Sequence, residues 1–98
     1  MEKKTLHEVD HMLRRYPMLQ NKQSRRLRLW REAIEDTLAE YEAAGETEKT
    51  AILTQHFFDG ASNEEMLQSL PLGRRTYYDY KCDILCTAAF YAAKRRAL

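Results

Sequence analysis

Apolar residues recur along this chain at every third or fourth position, the spacing that places them on one face of a helix. Leu6, Val9, Leu13 and Tyr16 predict a first helix over about 6–15. Thr5 and Glu8 have capping-box spacing, with hydroxyl and carboxylate satisfying the free N–H groups of the helix start. Pro17 ends this helix because its ring disfavours helical backbone at Tyr16. Leu27, Trp30, Ile34, Leu38 and Tyr41 form one stripe along a long second helix over about 24–44, closed by Gly45. Ile52, Leu53, His56 and Phe57 give the inner face of a third, over 47–58, which Asp59 and Gly60 end. Ser62 and Glu65 make a second capping box, opening a short helix that carries Met66, Leu67 and Leu70. After a break at Leu70-Pro71-Leu72-Gly73, Tyr77, Tyr80, Ile84, Ala88 and Tyr91 mark a fifth helix over about 74–97.

The expected fold is therefore all-α: a small helical domain of about five helices, ending in a helix-turn-helix. Composition agrees. The 98 residues suffice for one domain, with a helical leader at 1–45 and the helix-turn-helix module at 46–98. With 44% hydrophobic and 32% charged residues and only three Gly and two Pro, the chain is too apolar for disorder and too poor in turn formers for an all-β fold. No apolar run approaches the roughly 20 residues that cross a bilayer, so no membrane partner is expected. No apolar segment follows Lys3 and Lys4, so no signal peptide is expected. Cys82 and Cys86, one helical turn apart, are poorly placed for an intrachain disulfide. They are read as buried thiols of a cytoplasmic protein.

The net charge of +1 conceals a strong asymmetry. Residues 1–31 hold nine Lys or Arg against three acids, residues 32–73 hold ten acids against Lys49 alone, and residues 74–98 hold six bases against two acids. An acidic middle between basic ends points to an anionic partner. The second helix even carries its charges against its own dipole, arginines first and glutamates last.

Residues 61–85 narrow that partner to double-stranded DNA. A capped two-turn helix, a tight turn containing Gly73, and a helix opening on Arg74-Arg75-Thr76 have the layout of a helix-turn-helix, whose second helix presents its start to the major groove. A helix N-terminus attracts phosphate, and arginine forks suit phosphate or guanine edges. With Tyr77 and Tyr80 facing the core, Arg75, Thr76, Tyr78, Asp79 and Lys81 lie on freer faces, and Ser62 and Asn63 can donate to a phosphate.

The stretch from Ala51 through His56-Phe57-Phe58-Asp59-Gly60-Ala61-Ser62-Asn63 to Leu70-Pro71-Leu72-Gly73-Arg74-Arg75-Thr76-Tyr77-Tyr78-Asp79-Tyr80 resembles the helix-turn-helix of sigma-70 region 4. It is similar above all to small phage and prophage transcriptional regulators of the ArpU and RinA type. In those families an aromatic and a glycine, here Phe57 or Phe58 and Gly60, precede the supporting helix. A turn matched by Leu70 and Leu72 leads into a recognition helix matched by Arg74 to Tyr78. Gly73 stands where those families usually have serine, which removes a side-chain cap. The resemblance covers about residues 50–92. It implies a phage-type transcriptional regulator, DNA contacts at Arg74, Arg75, Thr76, Tyr78 and Asp79, and RNA polymerase as a candidate further partner. A homodimer is a second candidate assembly.

Other chemistry has little support. The His7/His11 and Cys82/Cys86 pairs contain the donors of a Cys₂His₂ zinc site but not the spacing of a zinc-finger loop, so no metal or cofactor is expected. The chain has no phosphate loop, nucleophile motif or arranged carboxylate pair, and is not expected to be an enzyme. The acids of the second helix, Glu32, Glu35 and Asp36, are read as ion-pair partners. The competing reading is a helical adaptor or anti-regulator that binds another protein through the Trp30–Tyr41 stripe.

Overall fold

The structure is a computed structural model and describes residues 2–20 and 24–98. Lys22, counted above in the basic leader, lies outside the described residues. The fold is a small all-α domain, as its periodicity predicts. Helix α1 spans Lys3–Arg15 and runs into a 3₁₀ turn at Tyr16–Met18. Helix α2 spans Arg25–Ala44, and α3 spans Thr47–Ala51 and continues into a π-helical segment, Ile52–Phe58. Helix α4 spans Asn63–Ser69 and α5 spans Arg74–Lys94. Among the described residues no helix is long and apolar enough to cross a membrane.

The two long helices, α2 and α5, form the frame. Hydrogen bonds between them fix an antiparallel arrangement: Tyr41 reaches Asp83 and Thr87, Tyr91 reaches Glu40, and Arg95 grips Asp36 and Glu32. Ala33, Ile34, Thr37 and Tyr41 form the buried face of α2, and Tyr77, Ile84, Ala88 and Ala92 that of α5. The alanines leave room for the bulkier residues opposite, so the helix axes can approach closely. Thr37 is a buried hydroxyl satisfied within its own helix, donating to the carbonyl of Ala33 at 2.9 Å. Trp30 is wholly buried. The Trp30–Tyr41 stripe is thus used within the chain, and the seam that the adaptor reading needs for a partner helix is covered.

Helix α1 lies across both α5 and the π segment, contributing Val9, Met12 and Leu13 to the same core. Tyr16 stacks on Phe58 with ring centroids 4.4 Å apart and donates to Glu35. One apolar cluster, from Val9 through Trp30 and Phe57 to Ala97, therefore runs through leader and helix-turn-helix alike.

Three local expectations are corrected. Helix α1 begins at Lys3, so Thr5 and Glu8 are inside it and form no capping box; Glu8 instead pairs with Arg26 of α2. The third helix is not α-helical throughout. Its second half widens to a π turn, which keeps four large residues, Ile52, Leu53, His56 and Phe57, on one side of the backbone and buried. The thiols of Cys82 and Cys86 are exposed, because they lie opposite the buried face of α5.

Both ends of the α2–α5 frame close by the same device. After α2, Gly45 takes a left-handed conformation (φ 71°), and the Glu46 N–H returns to the Tyr41 carbonyl at 2.9 Å. After α5, Arg96 takes it (φ 64°), with Ala97 N–H on the Ala92 carbonyl at 2.7 Å and Arg96 N–H on that of Ala93 at 3.0 Å. This fold-back buries Ala97. A side chain other than glycine is strained there.

Two stability measurements test this packing. Ile34→Ala, at a site with no solvent exposure, is expected to destabilise the chain by about 2–5 kcal/mol in urea unfolding. Arg96→Gly is expected to stabilise it by roughly 0.5–1 kcal/mol, because relief of left-handed strain exceeds the added entropy of the unfolded glycine. A loss of stability in the glycine variant would mean that the Arg96 side chain contributes more than its backbone costs.

Candidate nucleic-acid interface

The capping box at Ser62 forms as its spacing predicts. The Glu65 N–H donates to Ser62 Oγ at 3.1 Å, and the Ser62 N–H donates to Glu65 Oε1 at 3.0 Å. The Ser62 backbone N–H and then the Ser62 side chain, acting on the ionised form, hold the Glu65 carboxyl below the usual range for glutamate. Ser62 itself is exposed, with its Oγ accepting from the Glu65 N–H.

Asn63 couples the two helices of the motif. Its Oδ1 accepts from the Tyr77 hydroxyl at 2.7 Å and from Lys81 Nζ at 3.0 Å. The start of α4 is therefore tied to the first two turns of α5, and Met66 of α4 is buried in the common core. The Asn63 amide nitrogen is left as a donor.

Lys81 is half-buried, and its ammonium stands 5.4–5.9 Å from the ring centroids of Phe57, Tyr77 and Tyr78. Burial, reinforced by the Arg14 guanidinium, lowers its pKa from the ordinary lysine value. The sequence places Lys81 on a free face; the structure makes it part of the joint between helices, because Asn63 and three rings surround it.

The remaining candidates point outward. Arg74, Arg75, Thr76 and Asp79 are exposed and make no side-chain hydrogen bond or ion pair among the described residues. Tyr78 is 39% exposed, its ring edge against Tyr77. Gly73 caps α5 with extended backbone and no side-chain bond, so the first N–H groups of the helix face solvent beside two arginines.

Sequence reasoning did not foresee what lies beside this helix. Lys3, His7, Asp10 and Arg14 of α1 and Lys81 and Leu85 of α5 line an open groove of about 300 Å³ floored by Leu6 and Phe57. Helix α1 thus brings basic side chains alongside α5. Their i, i+3 and i+4 spacing on α1 was visible in the sequence, but nothing in it says which helix that face meets.

His56 is the buried hinge of the site. Its Nδ1–H donates to the Ala61 carbonyl at 2.6 Å, and its Nε2 stands 3.4 Å from Arg14 Nη2. Burial lowers its pKa from the ordinary histidine value against the opposing effect of the Ala61 bond, and the charges of Lys81 and Arg14 act in the same direction as burial. The π turn makes this possible. Ala61 N–H reaches back to the Gln55 carbonyl at 2.9 Å around left-handed Gly60, which sets the Ala61 carbonyl beside the imidazole. Lys49, the single base of the acidic middle segment, pairs with Asp83 at 3.2 Å and lies over the Tyr41 and Tyr80 rings. That pairing anchors the third helix to α5.

Among the described residues no three His, Cys, Asp or Glu side chains converge as a metal site requires. Comparison with protein families, curated proteins and solved structures finds no match to this chain.

Two outcomes follow from the capping box and the buried imidazole. Ser62→Ala is expected to lower stability by about 1 kcal/mol, read by thermal or urea unfolding. Because folding lowers the His56 pKa, the unfolded chain takes up a proton more readily. Stability from this group is full above the ordinary histidine value of 6.5 and declines as pH falls below it toward the lowered folded value. His56→Gln should be less stable at neutral pH but should lose that decline; an unchanged acid-side slope would assign it to other groups.

Proposed function

We propose that this chain is a sequence-specific, double-stranded-DNA-binding transcriptional regulator of the phage and prophage kind, which inserts the start of α5 into the major groove. One observation carries the reading. The first turn of α5 offers Arg74, Arg75 and Thr76, all exposed and uncommitted, at a positive helix end that Asn63 locks to a capped supporting helix. Groups that read bases must be free to bond outward and yet be held on a rigid element. The resemblance to sigma-70 region 4 assigns the same positions to DNA.

The contacts divide by role. Arg75 and Thr76 reach base edges, with Arg75 suited to guanine O6 and N7. Asp79 accepts from cytosine N4 where it meets a base. Arg74, the Ser62 hydroxyl, the Asn63 amide and Tyr78 hold phosphates and set the depth of entry. Lys81 adds charge from its joint. On α2, Arg25 and Arg28 are exposed and add to the sequence-independent attraction for phosphate. RNA polymerase is the protein partner such a regulator would address, and no catalytic step is involved.

Salt-dependent binding to a duplex selected from a random pool tests this reading. Arg75→Ala is expected to cost about 1–3 kcal/mol on the selected site and to relax preference at one base pair, whereas Arg25→Ala should weaken all duplexes alike and flatten the salt slope by about one unit. Equal binding by the wild type and an Arg74→Ala/Arg75→Ala double variant would overturn the mechanism.

A further inference from the structure

We propose that the outer face of α5 is the seam of a symmetric antiparallel dimer of this chain. Opposite the buried face of the helix, Arg75, Asp79, Cys82, Cys86, Phe90 and Ala93 follow one another at intervals of three or four residues, and all six are exposed. This stripe is polar over its first two turns and apolar over the next three. Phe90 is 61% exposed although it sits within a long helix, a full turn before its end. A helix that is apolar on two opposite sides is one that is covered on both. The chain's own elements cover only the inner side.

The stripe fits itself when reversed. A two-fold axis at Cys86 sets that residue against Cys86 of the second copy. Phe90 then falls over Cys82 of the second copy, a large side chain on a small one. Asp79 comes opposite Ala93 of the second copy and beside its Lys94, both ends of the seam gaining a charge pair that each monomer lacks. A parallel pairing would instead set Asp79 on Asp79 and Lys94 on Lys94. In the antiparallel pair the Asp79 carboxylate, assigned above to a cytosine edge, is held by Lys94 of the second copy, and base reading falls to Arg75 and Thr76.

The same register has a consequence for DNA, and this part rests on the function proposed above. At the helical rise, Arg75 lies about 16 Å from the axis, so the two copies of Arg75 are about 33 Å apart. Half-sites read by paired helix-turn-helix units lie 34–36 Å apart, one turn of the duplex. A two-fold axis perpendicular to both helices also turns each edge of α5 to the same side in both copies, so the two first turns, with Arg74, Arg75 and Thr76, approach a duplex from one face of the dimer. The dimer would therefore address adjacent major grooves on one face of a palindromic site. A seam one helix wide is smaller than the roughly 800 Å² per partner of a standard interface, so self-association is weak and in the micromolar range.

Sedimentation equilibrium of the full chain under reducing conditions tests the seam without DNA. Wild type is expected to dimerise with a micromolar dissociation constant, and Phe90→Glu, at an exposed site, to weaken this at least tenfold with an unchanged circular-dichroism spectrum. Register is tested by oxidation with diamide: Cys82→Ser should form a disulfide-linked dimer through Cys86, and Cys86→Ser should do so far more slowly. A wild type that stays monomeric to several hundred micromolar, a dimer indifferent to Phe90→Glu, or equal cross-linking of the two cysteine variants would overturn the proposal. Dimerisation without binding to any duplex would leave the seam standing and remove the DNA reading instead.

Discussion

The antiparallel contact of α2 with α5 is the constraint on which the rest of the molecule depends. It has an apolar centre, where the large residues of α2 lie against the alanine-rich face of α5, and a polar margin in which Tyr41, Glu40, Asp36 and Glu32 each find a partner. The margin explains the charge order of α2. Acids near its C-terminus oppose the helix dipole, at a cost of a few tenths of a kcal/mol each. Glu32, Asp36 and Glu40, spaced by four residues along the middle of the helix, hold Tyr91 and Arg95 at the far end of α5. Such half-exposed pairs add little stability singly. Their effect is to set the register in which α5 lies on α2, and so how far its first turns project beyond the core.

That projection links fold to site. The second half of α5 is gripped by α2, and the first two turns are held by Asn63, Tyr77, the Lys81 joint and Lys49 over the Tyr80 ring. The outer side of the start of a rigid rod is thereby left in solvent while its axis is fixed from behind, the arrangement that the proposed groove reading would require. Helix α1 and the π segment complete the support. His56 bonds to the Ala61 carbonyl just before the capping box and meets Arg14 on its other side, so the entry to α4, the leader helix and the base of α5 meet at one buried ring.

The capping box of α4, the Gly45 and Gly60 ends, the break before Arg74 and the inward Tyr77 were legible in the sequence because each depends on residues within about one helical turn. The features that escaped it depend on distant partners. Nothing near Thr5 distinguishes a capping box from two polar residues inside a helix, and the capture of Glu8 by Arg26 belongs to another element. The π turn follows from the demand that Ile52, Leu53, His56 and Phe57 all be buried against helices whose positions the local sequence does not encode. Cys82 and Cys86 look like core by composition, but the register of α5 turns them outward.

For the candidate site, the same division holds. The sequence by itself determined that this is a helical domain, that its acidic middle separates two basic ends, and that a capped short helix precedes a long one opening on Arg74-Arg75-Thr76, because helical period, caps and turns act over a few residues. Only the tertiary structure decided which of those side chains are free. It left Arg74, Arg75 and Thr76 in solvent, drew Lys81 and Asn63 into the joint, covered the Trp30 stripe and exposed the Cys82–Ala93 face. The physical reason is that a helix has one inner side, and which side is inner is chosen by what packs against it.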